Sequence, residues 1–155
     1  MKKIVVLLMV MCMVFAFAAC GNSENEATSY SFSINCEKIA ENMDAIENGA
    51  ITDLIPENGM LMEEAAIAGD LKEGATIMDA TIKTCQVMGI SYDYSQGYIS
   101  MLADVSAGDC GGWSGWLVKV NGEFPEVGAD ELVINDGDTI EWIYSLDGGA
   151  DIGAW

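Results

Sequence analysis

The order of local patterns along this sequence predicts an α+β fold: a mixed, β-grasp-like sheet with one main packed helix. Three observations carry the prediction. Apolar residues alternate with polar ones near both ends of the ordered chain, over 30–36 and 139–146. A single strong helix signal lies between them. Strand and helix signals are segregated rather than alternating, which is the mark of the α+β class. A helix with one apolar face needs a sheet to cover it.

The elements follow in order. Residues 1–19 are not part of a fold: Lys2 and Lys3 precede a charge-free apolar run from Ile4 to Phe17, and small residues lead into Cys20. That arrangement predicts a bacterial lipoprotein signal peptide, removed so that Cys20 becomes the acylated first residue. The run is short for a bilayer-spanning helix, which takes about 20 apolar residues. Residues 20–29 are polar and predict a flexible tether, leaving 30–155 as one domain. Tyr30, Phe32, Ile34 and Cys36 alternate with Ser31, Ser33 and Asn35, a half-buried strand. Ile39, Met43 and Ile46 have helical spacing and predict a short helix over 37–47, then a loop through Gly49 and Pro56. Short strands are predicted over 60–62 and 65–71. Thr76-Ile77-Met78-Asp79 fits a capping box with Asp in place of Glu. Met78, Ile82, Cys85 and Met88 share a face of the helix it opens, and Gly89 stops it. Beyond it lie strand candidates over 91–94, 97–103, 116–120, 132–134 and 139–146. Asn121-Gly122 predicts a type I′ turn, since this pair tolerates positive φ at both central positions.

Composition narrows the function. The chain carries 25 acidic residues against 6 basic ones, and no histidine. Only Lys38, Lys72, Lys83 and Lys119 remain once residues 1–19 are removed. Nucleic-acid binding needs a cationic surface and is excluded. So is a polybasic grip on anionic lipid; contact with the membrane is expected through the N-terminal lipid alone. Without histidine, Ser-His-Asp and Cys-His catalysis and His-ligated metal sites are unavailable. No carboxylate pair stands out for acid–base work, so no enzyme activity is expected.

Cys36, Cys85 and Cys110 are the cysteines beyond the anchor. An odd number allows at most one bridge, and Cys36 with Cys85 is the candidate disulfide; otherwise all three are small core residues. No cofactor is required and no metal site is expected. Asn135 to Asp138 and Asp147 to Asp151 are acidic turns, not the spaced ligands of a calcium loop. All four tryptophans lie in the last third of the chain. Trp116 is in phase with Val118 and Val120, and Trp142 with Ile140 and Tyr144, as core residues would be. Trp113 sits among Gly111, Gly112, Ser114 and Gly115, where no strand pattern holds, and is the aromatic most open to a ligand. The candidate ligand-binding set is Trp113, Ser114, Gly115, Trp116, Tyr98 and Trp142. Rigid aromatics offer contact area at low entropic cost.

The ordered segments Ser31–Cys36, Glu73–Ala80, Gly97–Ile99, Ser114–Pro125 and Asp136–Tyr144 resemble the domain-of-unknown-function 4430 family. These are bacterial secreted and lipid-anchored proteins related to the C-terminal domain of transcobalamin and intrinsic factor. The resemblance implies a β-grasp-like fold and the holding of a small ligand, with cobalamin or a similar bulky corrinoid as the bound molecule. It is consistent with an extracytoplasmic protein on the outer face of the cytoplasmic membrane, or in the periplasm or outer membrane of a host with two membranes. Its partners would be a small molecule or an envelope protein such as a transporter component. The alternative is a cell-surface protein–protein interaction module with no small ligand.

Overall fold

A computed structural model describes residues 27–46 and 48–155. The expected signal peptide and Cys20, with most of the expected tether, lie outside the described residues. The elements are β1 (Thr28–Asn35), α1 (Glu37–Glu41), a 3-10 turn (Met43–Ala45), α2 (Gly49–Thr52), β2 (Met60–Gly69) and α3 (Ile77–Met88). They are followed by β3 (Tyr92–Ser95), β4 (Tyr98–Leu102), β5 (Val105–Ser106), β6 (Gly115–Val120), β7 (Thr139–Ser145) and a 3-10 turn (Ala150–Ile152).

The main sheet has the order β2-β1-β7-β6, with β1 and β7 parallel at its centre and antiparallel strands outside. A smaller antiparallel sheet, β3-β4-β5, is not strand-paired with it but is joined to β6 and β7 by side-chain hydrogen bonds. This is the mixed sheet with one main helix that the sequence predicts.

Helix α3 begins as a capping box. Thr76 Oγ1 accepts from the Asp79 N–H at 3.2 Å, and the Asp79 carboxylate accepts from the Thr76 N–H at 2.9 Å. It ends at Gly89, whose φ of 69° is the left-handed stop. Its inward face differs from the apolar stripe read from spacing. Met78 and Cys85 are buried as expected, but Met88 is exposed, and Thr81 and Thr84 are fully buried. Each threonine hydroxyl donates to the carbonyl four residues back, Thr81 to Ile77 at 2.8 Å and Thr84 to Ala80 at 2.9 Å. Each also meets the sheet: Thr81 Oγ1 accepts from Trp142 Nε1 at 2.9 Å, and Thr84 Oγ1 lies 2.8 Å from Tyr30 Oη. Satisfied hydroxyls bury at little cost, so polarity did not keep these positions outside.

These contacts also decide the cysteines. Trp142 pairs with Ile34, so Thr81 stands near the C-terminal end of β1, whereas Thr84 meets Tyr30 near its start. Cys85 therefore lies toward the Tyr30 end and Cys36 beyond the other end. Six residues of strand separate Tyr30 from Cys36, roughly 20 Å, against the ~7 Å Cα limit for a disulfide. The candidate Cys36–Cys85 bridge is not formed; Cys36, Cys85 and Cys110 are free thiols, the first two fully buried.

Other segments depart from the sequence reading for local reasons. The helix expected over 37–47 stops at Asn42, whose side-chain amide donates to the Lys38 carbonyl at 2.8 Å. The loop after it contains α2. The two strands expected over 60–71 are one strand, β2; Glu63 and Glu64 between them are exposed on the sheet edge, where charge is tolerated. The strand expected over 132–134 is a single bridge from Val133 to Thr76.

Candidate functional site

Strands β6 and β7, the β3–β4 turn and the segment after the Asn121-Gly122 turn enclose an open groove of about 430 Å³. Its floor is aromatic. Trp116 and Trp142 come from neighbouring strands, where Trp142 pairs with Val118 and Trp116 with Tyr144. Trp116 and Trp142 are each only 3% exposed. Their N–H groups point inward: Trp116 Nε1 donates to the Val105 carbonyl at 2.8 Å, and Trp142 Nε1 to Thr81 Oγ1. The Trp116 ring also meets Tyr144 edge-to-face, at 5.1 Å between centroids and 82° between planes. With their donors spent inside the protein and their rings packed in the core, the two indoles back the groove and show it little surface. They are core residues and groove floor at once.

One wall is Gly97, Tyr98 and Ile99 at the start of β4; the other runs from Phe124 to Ala129. Ala154 and Trp155 complete the lining. Ile99 is buried, while Tyr98, Val127 and Trp155 are exposed. Tyr98 crosses the start of β6, and Gly115 makes this approach possible. A Cβ at that position would come within 2.7 Å of Tyr98 Oη.

Three of the six candidate residues read from the sequence thus line one groove: Trp116, Trp142 and Tyr98. Gly115 supports it from below. Trp113 and Ser114 are not part of the lining. Trp113 is 80% exposed, and its carbonyl accepts from the Gly148 N–H at 2.8 Å. Ser114 is buried; its Oγ donates to the Gly111 carbonyl at 2.8 Å, accepts from the Cys110 N–H at 3.2 Å and lies 3.0 Å from Tyr144 Oη. A hydroxyl so engaged holds the loop together and leaves little for a ligand. Phe124, Val127 and Trp155 also line the groove but were not among the candidates. The available signals were the aromatic Trp155 among the late tryptophans and Phe124-Pro125 shortly after the turn, neither of which carries strand or helix periodicity.

The thiols are poorly suited to nucleophilic chemistry. Burial pushes Cys36 far up, Cys85 up to about 11, and Cys110 up as well, with Asp109 adding to the effect there. The acidic turn at 135–138 is occupied by its own fold. Asp138 accepts from the Asn135 N–H at 2.7 Å and from Asn121 Nδ2 at 2.8 Å, and Asp136 accepts from the Ser29 N–H at 2.8 Å. In the second turn, Asp151 takes hydrogen bonds from Ser145 Oγ and the Leu146 N–H. Burial alone would raise its pKa; these bonds outweigh that and lower it. Among the described residues no group of three or more Cys, Asp or Glu side chains gathers as a metal site.

The family model described as "Domain of unknown function (DUF4430)" matches residues 74–145, the same family the sequence resembles. No curated protein matches. Among solved structures, the chain is similar to haptocorrin in complex with Cbi, at 14% identity and a TM-score of 0.49, covering 78% of this chain and 25% of that one. The chain thus spans a quarter of the length of haptocorrin. It is also similar to a protein from Ruminococcus gnavus ATCC 29149 described as a presumed metal binding protein, at 12% identity and a TM-score of 0.43, covering 76% of this chain and 96% of that one.

Proposed function

With residues 74–145 matching the DUF4430 family as the premise, we propose that this chain is a ligand-binding lipoprotein of the bacterial cell envelope, tethered through an acylated Cys20. It binds rather than catalyses. The observation that supports the reading is the groove: an open cleft of about 430 Å³ backed by Trp116 and Trp142, with exposed Tyr98, Val127 and Trp155 at its margin. Such a surface suits a bulky, flat ligand held by stacking and apolar contact. A corrinoid such as cobalamin is the first candidate, on the strength of the family resemblance. The chain has no histidine to offer its cobalt, so recognition rests on shape and on main-chain contacts. The bound ligand would be handed to a transporter component.

Equilibrium titration with cobalamin and cobinamide, read by tryptophan quenching, tests the ligand. Saturable binding that weakens in Tyr98→Ala supports the reading, because an exposed rim tyrosine can be removed without opening the core. No binding at high-micromolar corrinoid sinks the corrinoid assignment. Metabolic labelling with palmitate tests the anchor: label that persists in Cys20→Ser rules it out. The alternative, a protein interaction module, gains weight from one specific feature of the same groove.

A further inference from the structure

Among the described residues β6 is an edge strand of the main sheet. Beyond the Asn121-Gly122 turn the chain folds back along β6. The Val120 N–H donates to the Glu123 carbonyl at 2.9 Å, and the Glu123 N–H donates to the Val120 carbonyl at 3.1 Å. Continued in that register, Pro125 would stand opposite Val118. Proline has no N–H to give and cannot extend the ladder. The pairing ends after this single bridge, and the segment leaves β6 to become the far wall of the groove.

Two residues are left open. In an antiparallel pair, successive residues turn their main-chain groups alternately toward and away from the partner. The Asn121 N–H donates to the Thr139 carbonyl at 2.9 Å, so Lys119 and Leu117 also face β7. Ser114, Trp116, Val118 and Val120 then face the free edge. The Ser114 carbonyl takes the Gly108 N–H at 2.9 Å, and Val120 is paired with Glu123. The main-chain N–H and C=O groups of Trp116 and Val118 have no partner among the described residues. They stand about 7 Å apart along the strand, the repeat of a hydrogen-bonding edge, and both residues line the groove.

We propose that this edge binds a short, extended, basic peptide segment of another protein, added as a strand between β6 and the wall formed by Phe124 to Ala129. The main-chain groups of Trp116 and Val118 set the pairing. The occupied groups of Ser114 and Val120 limit the added strand to about five residues. Charge selects the partner. The chain has 25 acidic residues against 6 basic ones. At the groove, Glu126 lines the wall, and the Asp130 carboxylate rests against Gly97 and Gly128, both lining residues. Lys119, the nearby base, has its ammonium over the Phe124 ring at 4.9 Å from the centroid. Basic residues alternating with apolar ones would meet both the carboxylates and the exposed rim side chains of Tyr98, Val127 and Trp155. This inference stands independently of whether the groove also takes a corrinoid.

The test uses the full chain and the peptide acetyl-Lys-Val-Lys-Val-Lys-amide. Its comparators are the same peptide N-methylated at the central lysine and at both valines, and a version with Glu in place of Lys. Hydrogen exchange by NMR should show the Trp116 and Val118 amides exchanging fast in the free protein and slowly with saturating peptide. N-methylation should weaken binding about tenfold or more, the equivalent of at least one net hydrogen bond. The acidic peptide should not bind, and Glu126→Lys should weaken the basic one. The proposal is overturned if the basic peptide fails to saturate, if the N-methylated peptide binds equally well, or if both amides are already protected without peptide. The corrinoid titration reads a different ligand, so either idea can fail alone.

Discussion

Replacing Tyr144 with phenylalanine removes one oxygen from the middle of the fold and leaves the carbon packing in place. Tyr144 is fully buried on β7. Its hydroxyl donates to the Ser106 carbonyl at 2.7 Å and lies 3.0 Å from Ser114 Oγ, joining β5, β7 and the 110–114 loop. The ring contact with Trp116 survives the change. The loss is therefore one hydrogen bond, since the Ser106 carbonyl keeps the Asp109 N–H at 3.2 Å and Ser114 Oγ keeps Gly111 and Cys110, a net cost of about 0.5–1.5 kcal/mol. For a domain of this size that lowers Tm by roughly 5 °C. Urea unfolding followed by tryptophan fluorescence should show a lower midpoint at unchanged slope. Ser114→Ala should destabilise too, and the double variant should lose less than the sum, since the two hydroxyls share one network. Alkaline pH adds an independent check. Burial, the largest cause, raises Tyr144 to about 12, above the ordinary tyrosine value of about 10. Its contribution is fully present below pH ~10 and is lost as pH rises toward 12, because the unfolded chain ionises first. The gap between wild type and Tyr144→Phe should narrow over that window. A destabilisation below about 0.5 kcal/mol, or strict additivity with Ser114→Ala, would refute this account and return Ser114 to the list of free ligand donors.

Three further outcomes follow from the same geometry. Thr76→Ala removes the hydroxyl half of the capping box, leaving the main-chain N–H of residue 76 to the Asp79 carboxylate, and should cost about 1 kcal/mol in urea unfolding; an unchanged midpoint would mean the hydroxyl cap contributes nothing. Gly59→Ala should destabilise by more than about 1 kcal/mol, because φ is 71° there and a Cβ would lie 2.5 Å from the Glu37 Cα. Calorimetry showing no loss would place that backbone elsewhere. Iodoacetamide at pH 8 should leave Cys36, Cys85 and Cys110 unmodified in the folded protein and alkylate all three in urea, since burial raises each thiol. Peptide mapping reads this, and rapid native labelling of half-buried Cys110 would contradict it.

Sequence by itself determined what depends on near neighbours along the chain. The alternation of Tyr30, Phe32 and Ile34 marks β1, and Thr76 with Asp79 marks the start of α3. Asn121 and Gly122 adopt the positive φ values, 55° and 83°, that their chemistry favours. These are steric and hydrogen-bonding facts settled within a few residues, and together they sufficed for the fold class. Tertiary structure alone decided what depends on the residue opposite. It placed Thr81 and Thr84 inside, because Trp142 and Tyr30 supply their partners. It kept Cys36 from Cys85 through the direction of a helix across a strand. It made Trp116 and Trp142 a groove floor, while Trp113, in the more suggestive sequence context, stayed off it. Pro125 shows the division most plainly: the sequence displays a proline after a turn, but only the register beside Val118 makes it the residue that opens the edge.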